Sequence, residues 1–319
     1  MKDRILSVLK NADGYVSGED LSKNLGITRS AVWKHISQLK EEGYTINSVR
    51  NRGYRLENAF DIIDEKGVCF NAETVGKKLI ILKTTDSTNN ELKRLARINI
   101  ESGTVVCAYS QTTGKGRFGR QWQSDNGGLY FSFILRADLP PSDIASITLS
   151  AGYAVCLAIR EYTGLDAKIK WPNDIIIENR KVCGILTEIA AQSDRMDYLI
   201  TGIGINVNNA VFPEEIRHKA TSLLIETGKN TDKTDFFRTV LEYLDKIMTS
   251  FMISVSLDEM ENFKKLCATL GRNVSVQRGE RTLTGKAVDI TPMGELVIET
   301  ENHAKVNISS GEVTVQGIY

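Results

Sequence analysis

Near the start of the chain, apolar residues recur at helical spacing in three short stretches. The stretches contain Ile5, Leu6 and Leu9, then Leu21 and Leu25, and then Val32, Ile36 and Leu39. Each set lies on one side of an α-helix, so the pattern predicts three short amphipathic helices. Residues 26–28 predict a turn before the third helix, with Thr28 as its N-cap. A short helix, a glycine turn and a helix with a polar outer face are typical of a helix-turn-helix domain.

The third predicted helix is followed by a hairpin, and both are rich in basic residues. After Gly43, two short stretches at residues 44–46 and 54–56 flank a tip at residues 50–53. This hairpin pattern predicts a wing. Residues 29–55 contain six basic and two acidic side chains, a local excess that suits phosphate contacts. We therefore predict a DNA-binding surface, with base readout by the helix. The predicted DNA contacts are Arg29, Ser30, Trp33, Lys34, Ser37, Arg50 and Arg52.

A single winged helix contacts one DNA half-site weakly, so DNA binding by this segment implies a dimer. The alternative is a winged helix that makes only protein contacts, or one that no longer binds DNA. Because the basic residues fall on the helix and on the wing tip together, the pattern favours DNA binding.

From about residue 63 to 268 the pattern mixes strands and helices. Residues 79–82 predict a strand, which runs into a polar segment. Thr88 followed by Glu91 matches a capping box, so we expect a helix to begin there. From spacing alone, helix capping is also the simplest role for Ser87 and Thr88.

A glycine-rich, basic loop follows the next predicted strand, at residues 104–108. Gly114, Gly116 and Gly119 match the GxGxxG spacing of dinucleotide-binding loops. The loop leads into a strand at residues 129–134, whereas a dinucleotide-binding fold needs a helix there, so that interpretation is excluded. The glycines allow close backbone approach, which predicts a flexible clamp for a phosphate-bearing ligand more readily than a solvated basic turn. The cations of the loop are Lys115, Arg117 and Arg120.

Two more segments concentrate functional residues between predicted strands. Residues 171–174 form a Trp-Pro-Asn-Asp turn with lysines before and after it. Asp174 and Lys181 are seven positions apart on a predicted hairpin, so we expect both to face one cleft. The alternative is a tight turn with surface charges. Gly202 and Gly204 lie two apart in an apolar strand, where something packs against one face of the backbone.

The last part of the chain, from about Gly271, alternates apolar and polar residues in short stretches. These stretches are residues 274–276, 296–298 and 306–308. The glycines between them are Gly279, Gly285, Gly294 and Gly311. Short alternating strands with glycine turns predict a small all-β barrel.

Five motifs of the middle segment together resemble those of biotin–protein ligases that are also biotin operon repressors. They are residues 86–89, 114–120, 170–174, 180–184 and 202–206, which read DSTN, GKGRFGR, KWPND, RKVCG and GIGIN. Their order and spacing match along the segment, and the resemblance covers essentially the whole chain. Each motif is modest by itself, and five in order are specific. The chain is identified by this resemblance as a member of that family.

The resemblance implies an α+β protein with three domains. The first is a winged helix-turn-helix at residues 1–62. The second is a mixed-sheet α/β catalytic domain at residues 63–270, similar to class II aminoacyl-tRNA synthetases. The third is an SH3-like β-barrel at residues 271–319.

The activity that the resemblance implies is that of a biotin–[acetyl-CoA-carboxylase] ligase. Such an enzyme joins biotin to ATP, giving biotinyl-5′-adenylate and pyrophosphate, and passes biotin to a lysine of a biotin carboxyl carrier protein. The attacking carboxylate is already ionised, so the step needs cations and not a general base. By resemblance, Lys181 contacts the biotin carboxylate and the phosphate, Arg117 holds the adenylate and Lys170 adds positive field. Mg²⁺ shields the pyrophosphate, and Asp174 orients the acceptor amine or helps to deprotonate it.

The same resemblance assigns residues to the two substrates. Those implied for biotin are Ser87, Thr88, Asn89, Gln111, Lys115, Gly116, Arg117, Lys181, Gly202 and Gly204. Those implied for ATP or the adenylate are Arg117, Arg120, Trp122, Asn173, Lys181 and Asn206. Gly202 and Gly204 leave room beside the biotin ring system, and Trp122 resembles a residue that stacks on adenine. The alternative for Trp122 is a core tryptophan that anchors the end of the loop.

The resemblance also implies a biotin-responsive repressor, in which biotinyl-5′-adenylate stabilises a homodimer on operator DNA. Lys115 and Phe118 stand where better-known relatives carry arginines. We expect this difference to affect how tightly the adenylate is retained and how the loop packs in a dimer. Two other functions stay open: a ligand-sensing transcription factor without catalysis, and a ligase for lipoate or another carboxylic acid. The cations around the turn argue against a transcription factor without catalysis. Gln111 and residues 87–89 favour a ureido ligand, and so biotin, over lipoate or another carboxylic acid.

Composition limits the class and compartment of the protein. The 319 residues are 41% apolar and 25% charged, which is typical of a globular chain of two or three domains. The 40 basic and 40 acidic side chains balance, which excludes a globally basic nucleic-acid coat. We expect neither membrane insertion nor export, because long apolar runs and a signal-peptide pattern are lacking. Five cysteines without a CxxC pair favour reduced thiols and a cytoplasmic location, and the histidine spacing suggests no metal site.

Overall fold

The computed structural model describes residues 1–10, 12, 14–41, 44–57, 59–136, 140, 143–192, 195–253, 257–278 and 281–319. Gly43, Gly279 and one of the two acidic residues counted near the wing, Glu42, lie outside these ranges. The chain divides into two compact units. They are Met1–Asp64 with Asp232–Thr234, and Glu65–Thr231 with Asp235–Tyr319.

In the first unit, the predicted helices pack around one apolar core. They are α1 (Lys2–Lys10), α2 (Gly18–Leu25) and α3 (Arg29–Glu41). Ile5, Leu21 and Val32 are fully buried in this core, which confirms the predicted apolar faces. Thr28 caps α3 as predicted, because its hydroxyl accepts a hydrogen bond from the backbone N–H of Ala31 at 3.2 Å.

The predicted wing follows α3. Its strands are β1 (Ile46–Val49) and β2 (Gly53–Leu56), which pair antiparallel. The first strand begins later than residue 44, because the Tyr44 N–H donates to the Leu39 carbonyl at the end of α3. At Gly53, φ is +106° and a methyl group would lie 2.0 Å from the Val16 carbonyl oxygen, so the wing requires glycine there.

A mixed sheet forms the centre of the second unit. Its described strands are β3 (Lys78–Thr85), β4 (Thr104–Gln111), β5 (Leu129–Leu135), β6 (Lys168–Lys170), β7 (Asp174–Ile177), β8 (Arg180–Gln192) and β9 (Arg195–Ile205). Their order is β3-β4-β5-β9-β8-β7-β6, with β3 and β4 parallel and the other neighbours antiparallel. The strand that follows the glycine loop is confirmed as β5, so the loop does not open a helix as a dinucleotide-binding loop does.

The remaining described helices are distributed along the rest of the chain. They are α4 (Glu65–Val68), α5 (Thr88–Ala96), α6 (Ile144–Thr163), α7 (Leu223–Thr227), α8 (Lys233–Ile253) and α9 (Leu257–Leu266), with short 3₁₀ helices at Ala59–Asp61 and Arg117–Gly119. By length and apolar composition α6 resembles a membrane-spanning helix. Its inner side packs on β8, and Ala151, Val155 and Ile159 are fully buried, so it is a core helix. The largely charged α9 has no counterpart among the predicted elements.

After α9 the chain forms an antiparallel sheet. Its described strands are β10 (Asn273–Arg278), β11 (Arg281–Ile290), β12 (Leu296–Glu299), β13 (Lys305–Ile308) and β14 (Glu312–Val315), in the order β13-β12-β11-β10-β14. Gly294 and Gly311 lie between strands, as predicted. The same prediction is wrong for Gly285, which lies within β11. A methyl group there would lie 2.4 Å from the Glu299 carbonyl oxygen, so glycine permits the close approach of β12.

Candidate active site

A cavity of about 680 Å³ lies against β8 and β9 of the central sheet. Every residue predicted to act in catalysis or to bind biotin, ATP or the adenylate lines this cavity. These residues are Ser87, Thr88, Asn89, Gln111, Lys115, Gly116, Arg117, Arg120, Trp122, Lys170, Asn173, Asp174, Lys181, Gly202, Gly204 and Asn206. Residues 311–314 of the C-terminal sheet also line it, although none of them was predicted. The fold therefore brings the five motifs to one place.

Three polar side chains of the cavity wall, with the fully buried Ser132, form what we call the amide network: Thr88, Asn89, Gln111 and Ser132. Ser132 Oγ lies 2.6 Å from both Thr88 Oγ1 and Asn89 Oδ1. Gln111 Oε1 accepts from the Thr88 N–H at 2.8 Å, and the Gln111 amide donates to Ser124 Oγ at 2.8 Å. Ser132 and Ser124 were not predicted, because neither belongs to a motif. The hydrogen bonds fix the positions of donors and acceptors before a ligand arrives.

Helix α5 begins at Thr88 as predicted, but the predicted capping box is wrong. Ser87 occupies the N-cap position, and no capping hydrogen bond from its side chain occurs within the described chain. Glu91 accepts from Arg94 Nε at 2.9 Å instead of reaching back to the start of the helix. The physical reason is that Gln111 Oε1 already accepts the Thr88 N–H, so the helix start is capped from β4.

The amide network continues to a charged pair that was not predicted. Asn89 Nδ2 donates to Glu188 Oε2 at 2.8 Å, and Lys93 Nζ lies 2.7 Å from Glu188 Oε1. Burial acts to raise the pKa of Glu188, but the hydrogen bonds from Lys93 and Asn89 lower it, so the carboxylate stays ionised. A methyl group at Gly202 would lie 2.2 Å from Asn89 Oδ1. Glycine at this position therefore leaves room for Asn89.

Trp122 lies on the backbone of β8 and β9. A methyl group at Gly204 would lie 2.4 Å from Trp122 Nε1, and one at Gly184 would lie 2.8 Å from Trp122 Cζ3. The room predicted beside the biotin rings is therefore filled by the indole in this structure. Trp122 Nε1 is buried without a hydrogen-bond partner in the described part of the chain. An indole donor left in this state is costly, and a polar ligand would satisfy it.

Four basic side chains of the cavity form what we call the cation cluster: Arg117, Arg120, Lys170 and Lys181. Lys181 Nζ lies 2.6 Å from Asp174 Oδ1, so the two residues face one cleft as their spacing predicted. Arg117 donates to Asn173 Oδ1 at 3.0 Å and to the Gly311 carbonyl at 3.3 Å. Burial lowers the pKa of Arg117. Its half-buried guanidinium is thus directed at the Trp-Pro-Asn-Asp turn.

Lys170 is the most buried lysine of the cation cluster, with 8% of its surface exposed. Its Nζ lies 3.7 Å from the centre of the Tyr319 ring. Burial lowers the pKa of Lys170 to about 8. Tyr319 was not predicted as a site residue, because no motif includes it.

The glycine loop is folded back on itself. The Gly116 N–H donates to the Arg120 carbonyl at 2.7 Å, and Lys115 Nζ donates to Asn90 Oδ1 at 2.8 Å. At the tip, Phe118 is 66% exposed and has a φ of +56°, a left-handed conformation that costs a non-glycine residue about 1 kcal/mol. The loop therefore presents an apolar side chain outward beside the cations.

The predicted DNA contacts lie on the surface of the first unit. Trp33 is 65% exposed, Ser37 is half-buried, and the others are exposed. Arg29 is ion-paired with Glu19, and the Arg52 guanidinium lies 4.9 Å from the centre of the Tyr15 ring. The helix and wing thus present a polar, basic surface.

Three family models match the chain. They are an HTH domain at residues 2–55, the biotin/lipoate A/B protein ligase family at residues 81–206, and the biotin protein ligase C terminal domain at residues 269–315. The chain is 37% identical over 309 residues to the bifunctional ligase/repressor BirA of Bacillus subtilis (strain 168), with 95% of each chain covered. The chain belongs to the bifunctional ligase/repressor family. This confirms the family resemblance drawn from the five motifs.

Other members and structures agree with this assignment. The family member from Escherichia coli (strain K12), also a bifunctional ligase/repressor BirA, is 28% identical over 304 residues, covering 95% of this chain and 93% of that protein. The solved structure of biotin protein ligase from Aquifex aeolicus in complex with biotin and ATP has a TM-score of 0.66 and 37% identity. It covers 75% of this chain and 99% of its own.

Proposed function

We propose that this chain joins biotin to ATP, transfers biotin to a carrier protein and represses transcription in response to biotin. The observation that carries the proposal is the cavity, which places the amide network and the cation cluster in one site. Hydroxyl and amide groups suit the donors and acceptors of the biotin ureido ring, whereas cations suit a carboxylate and phosphates. The relative solved with biotin and ATP supports these two substrates.

In the first step, a carboxylate oxygen of biotin attacks the α-phosphorus of ATP. A P–O bond forms, the bond to the bridging oxygen breaks, and pyrophosphate leaves. Lys181 and Arg117 hold the two anions together, and Lys170 adds positive field. We infer that ATP enters as its Mg²⁺ complex, in which the charge of the leaving pyrophosphate is shielded.

In the second step, the amine of a carrier lysine attacks the acyl carbon of the adenylate, an amide bond forms and AMP leaves. A lysine amine has a usual pKa of about 10.4, so it must lose a proton before it attacks. We assign Asp174 to this proton or to the orientation of the amine, because its carboxylate lines the cavity beside Lys181. The acceptor is a biotin carboxyl carrier protein of acetyl-CoA carboxylase or of another biotin-dependent enzyme.

The other cavity residues are assigned to the two ends of the adenylate. Ser87, Lys115 and Gly116 join the amide network at the biotin end, and Arg120, Asn173 and Asn206 belong to the nucleotide end. Because Trp122 fills the space over Gly204, biotin binding requires the indole to move, after which it is free to stack on adenine.

The repressor part of the proposal uses the first unit. Biotinyl-5′-adenylate is the corepressor, and it favours a homodimer whose two copies of α3 and the wing bind operator DNA. The ligase/repressor relatives and the exposed basic surface support this part. Coupling of this kind is reciprocal, so operator DNA must tighten adenylate binding as much as the adenylate tightens operator binding. Equal affinity for operator DNA with and without both substrates would contradict it.

We extend the proposal to the finer architecture and location. The mixed sheet supports a likeness of the catalytic domain, at residues 63–270, to class II aminoacyl-tRNA synthetases. The antiparallel sheet supports an SH3-like barrel at residues 271–319, after a winged helix at residues 1–62. The protein works in the cytoplasm, where ATP and carrier proteins are present.

Release of pyrophosphate by the purified protein tests the enzyme. We expect release with Mg²⁺, ATP and biotin, and none with lipoate or without an acid. Release with lipoate in place of biotin would favour the lipoate ligase, a function that the matched biotin/lipoate family model also covers. Absence of release with any acid, together with biotin binding, would favour a sensor without catalysis.

A further inference from the structure

The hairpin β6–β7 places Lys170 directly opposite Asp174. Opposite charges facing each other on neighbouring strands normally pair. Asp174 instead directs one carboxylate oxygen to Lys181 Nζ, at 2.6 Å. No ion pair of Lys170 with a carboxylate occurs among the described residues. Lys170 and Asp174 therefore lie opposite each other in the hairpin without forming an ion pair.

Tyr319 accounts for this arrangement. Its Oη lies 2.6 Å from Asp174 Oδ2, the carboxylate oxygen that does not face Lys181. Its ring lies against the ammonium of Lys170, with Nζ 3.7 Å from the ring centre. A cation over an aromatic face is stabilised without being neutralised. One phenol thus holds the carboxylate and covers the cation that would otherwise pair with it.

The position of Tyr319 is itself fixed by the C-terminal sheet. Ile318 is 2% exposed, and its N–H donates to the Val315 carbonyl at 3.1 Å, in a turn at Gly317. Burial raises the pKa of Tyr319 above its usual range, so the phenol stays protonated and donates its hydrogen to Asp174.

We propose that Tyr319 is a positioning residue of the adenylation site, which holds Asp174 on Lys181 and so leaves Lys170 without a paired carboxylate and available to the phosphates of ATP. This inference rests on the proposed function for its link to ATP. Without the hydroxyl, Asp174 is free to turn across the hairpin and pair with Lys170. That pair would cancel the positive field where ATP needs it.

The pH at which Lys170 loses its proton can be measured. This pH would not change on loss of the Tyr319 hydroxyl if Tyr319 only stabilised the fold. Besides Tyr319, the groups that act on its charge are Asp174, Lys181, Arg120 and Glu312. The free protein should lose the Lys170 proton near pH 8. A carboxylate paired with Lys170 would favour its charged form and move this titration to higher pH.

The variant Y319F removes the hydroxyl and keeps the ring. Y243F is its matched control, because the Tyr243 hydroxyl also bonds a carboxylate, that of Glu161, and does not line the cavity. The first measurement is the acetylation rate of Lys170 in the ligand-free full chain against pH, by trace labelling and mass spectrometry. The second is kcat/KM for ATP in biotin-dependent pyrophosphate release against pH.

In Y319F we expect the midpoint for Lys170 acetylation to rise by about one pH unit, and Y243F to match the unchanged chain. We expect kcat/KM of Y319F to fall on the order of tenfold at neutral pH, with its alkaline decline displaced upward by a similar amount. Equal melting temperatures for the two variants would show that folding is not the cause.

The outcomes separate the inference from the proposed function. An unchanged Lys170 midpoint in Y319F overturns the inference, whatever the activity. A shifted midpoint in a protein that releases no pyrophosphate would overturn the ligase and leave the positioning of the two charges established. A lower activity with an unmoved pH profile would assign Tyr319 a structural role only.

Discussion

Three members of the amide network and all of the cation cluster line the same cavity, but the two sets differ in how far the protein itself satisfies them. Asn89 bonds Ser132 and Glu188, and each other member of the network also has a protein partner. The cation cluster instead sets four basic side chains against the carboxylates of Asp174 and Glu312. The network therefore has its shape before a ligand binds, whereas the cluster holds positive charge that an anionic ligand must balance.

The largest expected effect is on the cluster. Replacing Lys181 by Gln should slow biotin-dependent pyrophosphate release on the order of 100-fold or more, because the cation at the developing charge is lost. Biotin binding measured without ATP should change much less. The control is Lys168→Gln, since Lys168 pairs with Asp166 and does not line the cavity. A K181Q rate within a few fold of the K168Q rate would mean that the cluster does not drive the reaction.

The next effect concerns the rigidity of the network. A methyl group at position 202 would meet Asn89 Oδ1 at 2.2 Å, and Asn89 cannot move without breaking its bonds. Gly202→Ala should therefore lower the free energy of unfolding by about 1–3 kcal/mol and weaken biotin binding. In Gly152→Ala, the new methyl group would lie 3.5 Å from Ile185 Cδ1, an ordinary contact, so urea unfolding should show no loss. Equal stability of the two variants would contradict a rigid network.

A smaller and more selective effect is expected from Ser132→Ala. It removes a buried hydroxyl that bonds Thr88 and Asn89, so the Kd for biotin should rise on the order of tenfold. The KM for ATP should stay the same, because the cluster is untouched. Ser110→Ala is the control, since the Ser110 hydroxyl bonds Thr84 Oγ1 outside the cavity. An equal rise in the Kd for biotin and in the KM for ATP would contradict separate roles for the network and the cluster.

The smallest effect is a proton taken up when ATP binds. The pKa of Lys170 is lowered to about 8 by burial, and a nearby phosphate should raise it again. Near pH 8 the complex therefore binds more protons than the free protein, by a fraction of one proton per site. Calorimetry in buffers of different ionisation enthalpy measures this uptake. It should vanish in Lys170→Arg, whose guanidinium stays charged in both states.

The motif residues that line the cavity could be identified from the sequence. The residues that hydrogen-bond to them and hold them in place could not. The five motifs carried the family resemblance that implied these residues, and all of the residues that it implied for the site line the cavity. Ser132 and Glu188 lie inside strands and outside the five motifs, and Tyr319 reaches the site through the packing of the C-terminal sheet. Such contacts depend on tertiary structure, which leaves no local spacing to detect.

Competition between partners explains the local errors. The capping box failed because Gln111, distant in sequence, takes the N–H that a local side chain was expected to cap. The place of Trp122 over Gly204 likewise depends on two strands that come together only in the fold. The sequence did predict α1–α3, the wing, β3–β5 and strands of the C-terminal sheet, because the apolar periods and runs that produce them are local.

The most direct test of the central claim is to identify what the protein retains after incubation with Mg²⁺ and ATP plus equal amounts of biotin and lipoate. The protein is desalted, denatured and analysed by mass spectrometry. If the amide network selects a ureido ligand and the cation cluster joins it to ATP, biotinyl-5′-adenylate will be recovered from the unchanged protein. It will be absent from K181Q. Recovery of a lipoyl adenylate, or of biotin without any adenylate, would contradict the account.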